Sequence, residues 1–346
     1  MANKITITPA SLAQSAERYR SDLLMMPAQT IRQVLPYFSV RTGIRYKETV
    51  GQLGGEFELG PYSATRKDDG DITVTGRTLE TFLGSIIKDF EPNQVVQSIY
   101  GAMEVQGEAL KGVNITRAVL SYMMMRISHS LMAALFVAKR NDGGTKSAEL
   151  FNGFDTIADT EKTEGNISEA KGNMCVIEAI TAENAVDQLK AIYRAAHDEL
   201  RAVPTIMYLP QTVYDYYCDD YKATTGAIPY NTQYKQTFLE GSDNLCRLQP
   251  LACKRNAKYI QLSTRGNMLI GTGAGVEGEG IQVDRFSPFV LTFSLASFFG
   301  AQYESISPER LMVATIDGAT AVYGKAPAAE PDVTEDEGEE EEVVAG

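Results

Sequence analysis

Apolar residues recur at three- and four-residue steps through Ile115, Val119, Met123, Ile127, Leu131, Leu135 and Ala138, the spacing of one helical face. This pattern predicts a single long helix over 112–139, ended by Gly143-Gly144. At 1.5 Å per residue such a rod is roughly 40 Å long. Downstream the period changes. Met174 to Ala179 reads as a strand. Ala182 to Ala202 reads as one amphipathic helix with Ala185, Val186, Leu189, Tyr193, Ala196 and Leu200 turned inward. Thr205 to Leu209 reads as a buried strand, and Pro210 opens a helix over Gln211 to Lys222. Strand signals follow at Lys258 to Leu262, Met268 to Gly271, Ile281 to Phe286, Phe289 to Ser294 and Leu311 to Ile316. Asp155 to Gly172 is polar and is expected to be a surface loop. Mixed elements in this order predict an α+β architecture.

The first third of the chain has a different texture. Pro9 to Met26 is helix-like and is followed by Pro27 and Pro36, which reads as an extended arm. From Ile44 to Thr78, glycines punctuate short β-prone pieces around the charged run Arg66-Lys67-Asp68-Asp69-Gly70. The segment is expected to be a long β-hairpin with a charged tip. It has too little apolar surface for a core of its own, and an isolated two-stranded ribbon is marginal in water. It therefore needs a surface to lie on, and a neighbouring subunit is expected to supply one. The expected contact residues are Phe57, Leu59 and Tyr62 with the tip charges Arg66, Lys67, Asp68 and Asp69.

Charge sharpens this division. Of the chain's formal −13, nine negative charges fall on Glu330, Asp332, Glu335 to Glu337 and Glu339 to Glu342, which leaves −4 for the rest. The segment 326–346 is too acidic and polar to offset its ordering entropy and is expected to be disordered. A mildly acidic body repels phosphate backbones, so any nucleic acid is enclosed and not gripped. Cys175, Cys218, Cys246 and Cys253 lack metal-ligand spacing and are expected to be reduced thiols. Residues 1–10 lack the apolar core of a signal peptide, and the longest apolar stretch, Phe289 to Phe299, is too short for a membrane helix.

A search for chemistry finds little. His129 and His197 are isolated within expected helices, with no second histidine three or four residues away. Gly318 to Lys325 and Gly107 to Val113 both miss the phosphate-loop pattern, in glycine spacing and at the lysine position respectively. The glycines from Gly271 to Gly280 lead into a β-prone segment where a dinucleotide site requires a helix. Asp219-Asp220 reads as a solvated face, and Tyr214, Tyr216, Tyr217 and Tyr221 as packing or contact residues. No catalytic, cofactor or metal residue is assigned, and the chain is expected not to be an enzyme.

Three segments carry a resemblance. Pro204 to Tyr216 looks like the strand and helix of an axial domain. Arg265-Gly266-Asn267-Met268-Leu269-Ile270-Gly271-Thr272-Gly273 and Phe298-Phe299-Gly300-Ala301-Gln302-Tyr303 are similar to strands of the same family. Together with the order of parts, they make the chain resemble the Hong Kong 97-like major capsid proteins of tailed phages. The resemblance implies an N-terminal arm over 1–43, an extended hairpin loop over 44–78 and a peripheral domain over 79–173 with a spine helix at 112–140. An axial α+β domain over 174–285, return strands over 286–325 and an acidic tail over 326–346 complete it. The implied function is a virion shell of hexamers and pentamers around packaged double-stranded DNA, made in the host cytoplasm without membrane contact or cofactor. Portal and decoration proteins are implied partners. So is a separate scaffolding protein, because no long scaffolding region precedes the arm. Two alternatives stand beside it: an encapsulin-like nanocompartment shell, and an α+β enzyme whose site is assembled from distant residues.

Overall fold

The computed structural model describes residues 37–55, 61–62, 72–91, 115–225, 237–273, 280–285 and 290–316. The arm up to residue 36, the charged hairpin tip and the acidic segment lie outside the described residues.

Two five-stranded sheets and one two-stranded ribbon organise the described residues. The first sheet contains β1 (Ser39–Thr42), β4 (Phe82–Phe90), β9 (Met268–Thr272), β10 (Gly280–Arg285) and β11 (Leu291–Tyr303). The 13-residue β11 is its axis, pairing antiparallel with β4, β10 and β9. Two sequence signals, Phe289 to Ser294 and Phe298 to Tyr303, thus belong to one strand. The second sheet runs β5 (Met174–Ile177), β12 (Leu311–Ile316), β8 (Ile260–Thr264), β6 (Thr205–Pro210), β7 (Cys246–Leu251). All six residues of β6 are buried, as its continuous apolar run predicts for a strand covered on both faces. The ribbon is β2 (Lys47–Gly55) with β3 (Ile72–Glu80).

Sheet membership does not follow chain order. β9 and β10, from the segment expected as 174–285, lie in the first sheet, and β12, from 286–325, lies in the second. Packing explains the exchange. Met268 and Ile270 of β9 share a core with Phe299, Ala301 and Tyr303 of β11, whereas Met312 and Ala314 of β12 pack with Met207, Leu209, Ile260 and Leu262.

The long helix, α1 (Ile115–Ala134), has 20 residues, roughly 30 Å and not 40 Å. It ends nine residues ahead of Gly143. The backbone after it turns inward, and the carbonyls of Leu135, Phe136 and Ala138 accept from Phe154, Asp155 and Gly153. A side chain at Gly153 would put a Cβ 2.4 Å from the Phe136 carbonyl oxygen, so this approach requires glycine. Leu120, Met124 and Leu131 are buried on α1, and Met123 and Ile127 of the expected stripe are half-buried. Leu120 and Met124 lie on Ile281, Val283, Leu291, Phe293 and Leu295 of the first sheet.

The expected polar loop after Asp155 is instead largely a helix, α2 (Phe154–Thr163). Phe154, Ile157 and Ala158, at helical spacing, bury its inner face. The single helix expected over 182–202 is two: α3 (Ala185–Ala195) and α4 (Asp198–Ala202). His197 adopts an extended backbone between them, and its Nδ1 accepts from the Glu199 N–H at 3.3 Å. The six inward residues expected across both helices are all buried. α5 (Gln211–Thr225) follows β6 directly.

Candidate assembly surface

The hairpin is built from nine cross-strand pairs, Lys47↔Glu80 to Gly55↔Ile72. Its root packs on the body: Val50 and Leu79 form a small cluster with Ile44 and Leu269. Polar contacts add to this. Lys47 Nζ lies 2.5 Å from Glu80, and the Thr81 N–H donates to the Tyr46 carbonyl at 2.7 Å. Arg77 reaches out of β3 to three acceptors. Its Nη2 donates to Glu161 Oε1 of α2 at 2.5 Å and to Gln302 Oε1 at 3.2 Å, and its Nε donates to the Tyr303 carbonyl at 3.2 Å. Gln302 Nε2 returns a bond to the Thr78 carbonyl at 3.1 Å. Beyond the root, Tyr62 is 97% exposed. Phe57, Leu59, Arg66, Lys67, Asp68 and Asp69 lie outside the described residues.

A cleft of about 500 Å³ opens between α1, β4 and the turn around residue 145. Its lining includes Leu83 and Ile86 of β4, both exposed, with Arg126, Arg140 and Glu149. The Arg140 guanidinium sits 3.7 Å above the Phe82 ring and also pairs with Asp142. Ile87, on the opposite face of β4 from Ile86, is exposed as well. These groups offer contact area and charge.

Two buried titratable groups, Asp155 and Lys254, form with Gln261 a sealed centre that the sequence reading missed. Asp155 of α2, Lys254 of the turn after β7 and Gln261 of β8 are all buried. Asp155 Oδ2 accepts from the Lys258 N–H at 2.6 Å, and Oδ1 accepts from Gln261 Nε2 at 2.8 Å. Lys254 Nζ donates to Gln261 Oε1 and lies 4.3 Å from the Phe136 ring centre. Burial pushes the Asp155 carboxyl up, against the pull of the Lys254 ammonium. Burial brings Lys254 down to about 8, against the opposing pull of Asp155. No member is open to a solvent-borne substrate, so the cluster ties α2 to the second sheet. The helical spacing of Phe154, Ile157 and Ala158 was the one sequence signal that could have placed Asp155 on a buried helix.

The remaining candidates have structural partners. Asp220 is buried, not solvated, and its Oδ2 accepts from the Val186 N–H at the start of α3 at 2.7 Å. Asp219 stays outside, 3.8 Å from Lys222. Tyr217 is buried in the second core, Tyr214 and Tyr221 pack against it, and Tyr216 is exposed. His129 lies on the exposed side of α1. The four cysteines are free thiols, and burial pushes Cys246 up to about 12. Among the described residues, no cluster of His, Cys, Asp and Glu could hold a metal ion, and no helix is long and apolar enough to cross a membrane.

No protein-family model and no curated protein matches the chain. Solved structures do. A chain of the satellite phage P4 procapsid that includes the size determination (Sid) protein is 10% identical, with a TM-score of 0.50 over 84% of this chain and 99% of that one. A chain of the empty GTA particle capsid is 12% identical, with a TM-score of 0.50 over 91% and 92%. Both alignments run through most of the two chains, so the shared feature is the whole fold. The expected α+β, Hong Kong 97-like architecture is the observed one.

Proposed function

We propose that this chain is the major capsid protein of a tailed phage or prophage, a shell subunit that acts through geometry and not through catalysis. The observation that carries the reading is a fold shared nearly end to end with a chain of the P4 procapsid and a chain of the GTA capsid. The molecule's own features support it. The hairpin is a ribbon with a packed root, the β4 side exposes apolar residues, and the buried pair Asp155 and Lys254 is sealed from solvent. Copies assemble as hexamers and pentamers, with arm and hairpin crossing to neighbours, and enclose double-stranded DNA without gripping it. Scaffolding, portal and decoration proteins are its partners, and assembly takes place in the host cytoplasm.

Electron microscopy and sedimentation of the purified full chain, alone and with the scaffold from the same genome, test the reading. Closed icosahedral shells are the expected result. A chain that stays monomeric under both conditions overturns it.

A further inference from the structure

We propose that Arg77, bridging Glu161 and Gln302, is the residue that fixes the angle at which the hairpin leaves the body. Three observations lead to this inference.

The root of the hairpin rests on a fulcrum without slack. A Cβ at Gly300 would lie 2.0 Å from the Glu80 carbonyl oxygen, and one at Gly271 would lie 2.7 Å from the Thr81 methyl. Both glycines belong to the first sheet, so the end of β3 bears directly on strand backbone. Here the hairpin can tilt but cannot approach further.

On the other side there is room. A cleft of about 530 Å³ separates the root from α2, lined by Gly76, Thr78, Phe82, Asn152, Thr160 and Glu164 among others. A lever with a tight fulcrum and an open space beside it needs a separate restraint to hold one angle.

Arg77 spans that space. Its guanidinium holds Glu161 of α2 and both the side chain of Gln302 and the carbonyl of Tyr303 in β11. Glu161 is itself positioned by the Asn166 amide at 2.9 Å. The side chains of Arg77 and Glu161 are only 16% and 13% exposed, so water screens the pair little. A planar fork with several donors fixes direction as well as distance, which a lysine cannot do. Among the described strands β3 makes its ladder with β2 alone and joins β4 through Thr81, so these side-chain bonds, with the Gln302 amide on the Thr78 carbonyl, tie it laterally to α2 and β11.

The test uses the full chain with Arg77→Met, which keeps length and removes the fork, and Glu161→Gln, which keeps shape and weakens the pair. Hydrogen exchange is measured on the unassembled subunit. The expected result is an unchanged circular dichroism spectrum and at least tenfold faster exchange at residues 47–51 and 76–80, with α2 and β11 at wild-type rates. Arg77→Lys should not restore the slow exchange. Wild-type exchange at the root in both variants overturns the restraint. Loss of the whole fold in both variants also overturns it, because the pair then serves general stability.

Discussion

The centre of the body and the hairpin use the same chain for opposite purposes. In the body, the rings of Phe38, Phe136, Phe154 and Tyr208 pack in edge-on, tilted and stacked pairs between the two sheets, with centroid distances of 5.4 to 6.2 Å. The hairpin extends nine residues per strand, and at its described root Val50 and Leu79 are buried. Buried area drives folding, so the first region orders itself. On the shell reading proposed above, the hairpin serves assembly, so stability and assembly are carried by separable residues, and substitutions should divide the same way.

The largest effect is expected at the ring cluster. Phe154→Ala removes contacts with Phe38, Phe136 and Tyr303 at 5.8, 5.5 and 5.2 Å, and it leaves a cavity where two sheets and α2 meet. Chemical denaturation of the subunit should show a loss of about 3–5 kcal/mol. A loss under about 1 kcal/mol would mean that the two sheets do not share one core.

The sealed polar centre comes next. Lys254→Met strands the Asp155 carboxyl beside an apolar neighbour, with an expected cost of about 3 kcal/mol or more. Adding Asp155→Leu should recover most of that, since a buried pair is often replaceable by well-packed apolar groups. If the double variant is no better than the single one, the cluster's hydrogen bonds to Lys258 and Gln261 matter more than its charges.

The same centre gives a pH signature of smaller size. Folded Lys254 titrates near 8 and the unfolded side chain near 10.5, so between these values the unfolded state binds more protons. Stability from this group accordingly rises with pH in that window, by up to about 1.4 kcal/mol per unit. Asp155 has the opposite sign. Its folded pKa is raised, so its contribution falls as pH climbs from 3.8 toward that folded value. Denaturation at pH 8 and pH 10, wild type against Lys254→Met, isolates the lysine. Parallel curves for the two proteins would show that Lys254 keeps its charge throughout.

Much of this body was legible in the sequence because local pattern and burial agree there. β6, the inward face of α3 and α4, and the β2–β3 hairpin follow directly from alternation, helical spacing and turn residues. Other features depend on contacts between distant residues. α1 stops at Ala134 because its following carbonyls are taken by residues 153–155, and no residue near Ala134 announces that. Asp155 lies in a stretch that reads as polar, and its burial is set by Lys254 and Gln261 about a hundred residues away. Sheet membership is likewise a matter of register. β9 pairs with β11 and β12 with β8, although both pairs join segments the chain order would keep apart. Of the expected contact surface, Tyr62 is exposed, and the remaining contact residues await an assembly-level test.

The smallest expected change in stability belongs to the hairpin's outer part. Replacing residues 60–71 with a short Gly/Ser linker removes Tyr62, Arg66, Lys67, Asp68 and Asp69 while leaving Val50, Leu79 and the Arg77 bridge in place. Exposed loops contribute little to a fold, and lengthening or shortening them changes closure entropy slowly, so denaturation should shift by no more than about 0.5 kcal/mol. Assembly should respond far more strongly, because a tip that bears on a neighbour contributes only in the shell. Sedimentation should then show capsomer-sized pieces in place of full particles. Charge and packing at the tip can be told apart by reversing Arg66 and Lys67. Exposed ion pairs are screened beyond about 10 Å at 0.1 M salt, so a defect that is worse at low salt assigns the contact to charge. A defect indifferent to salt assigns it to Phe57, Leu59 and Tyr62, and intact shells from the linker variant would remove the tip from the assembly surface altogether.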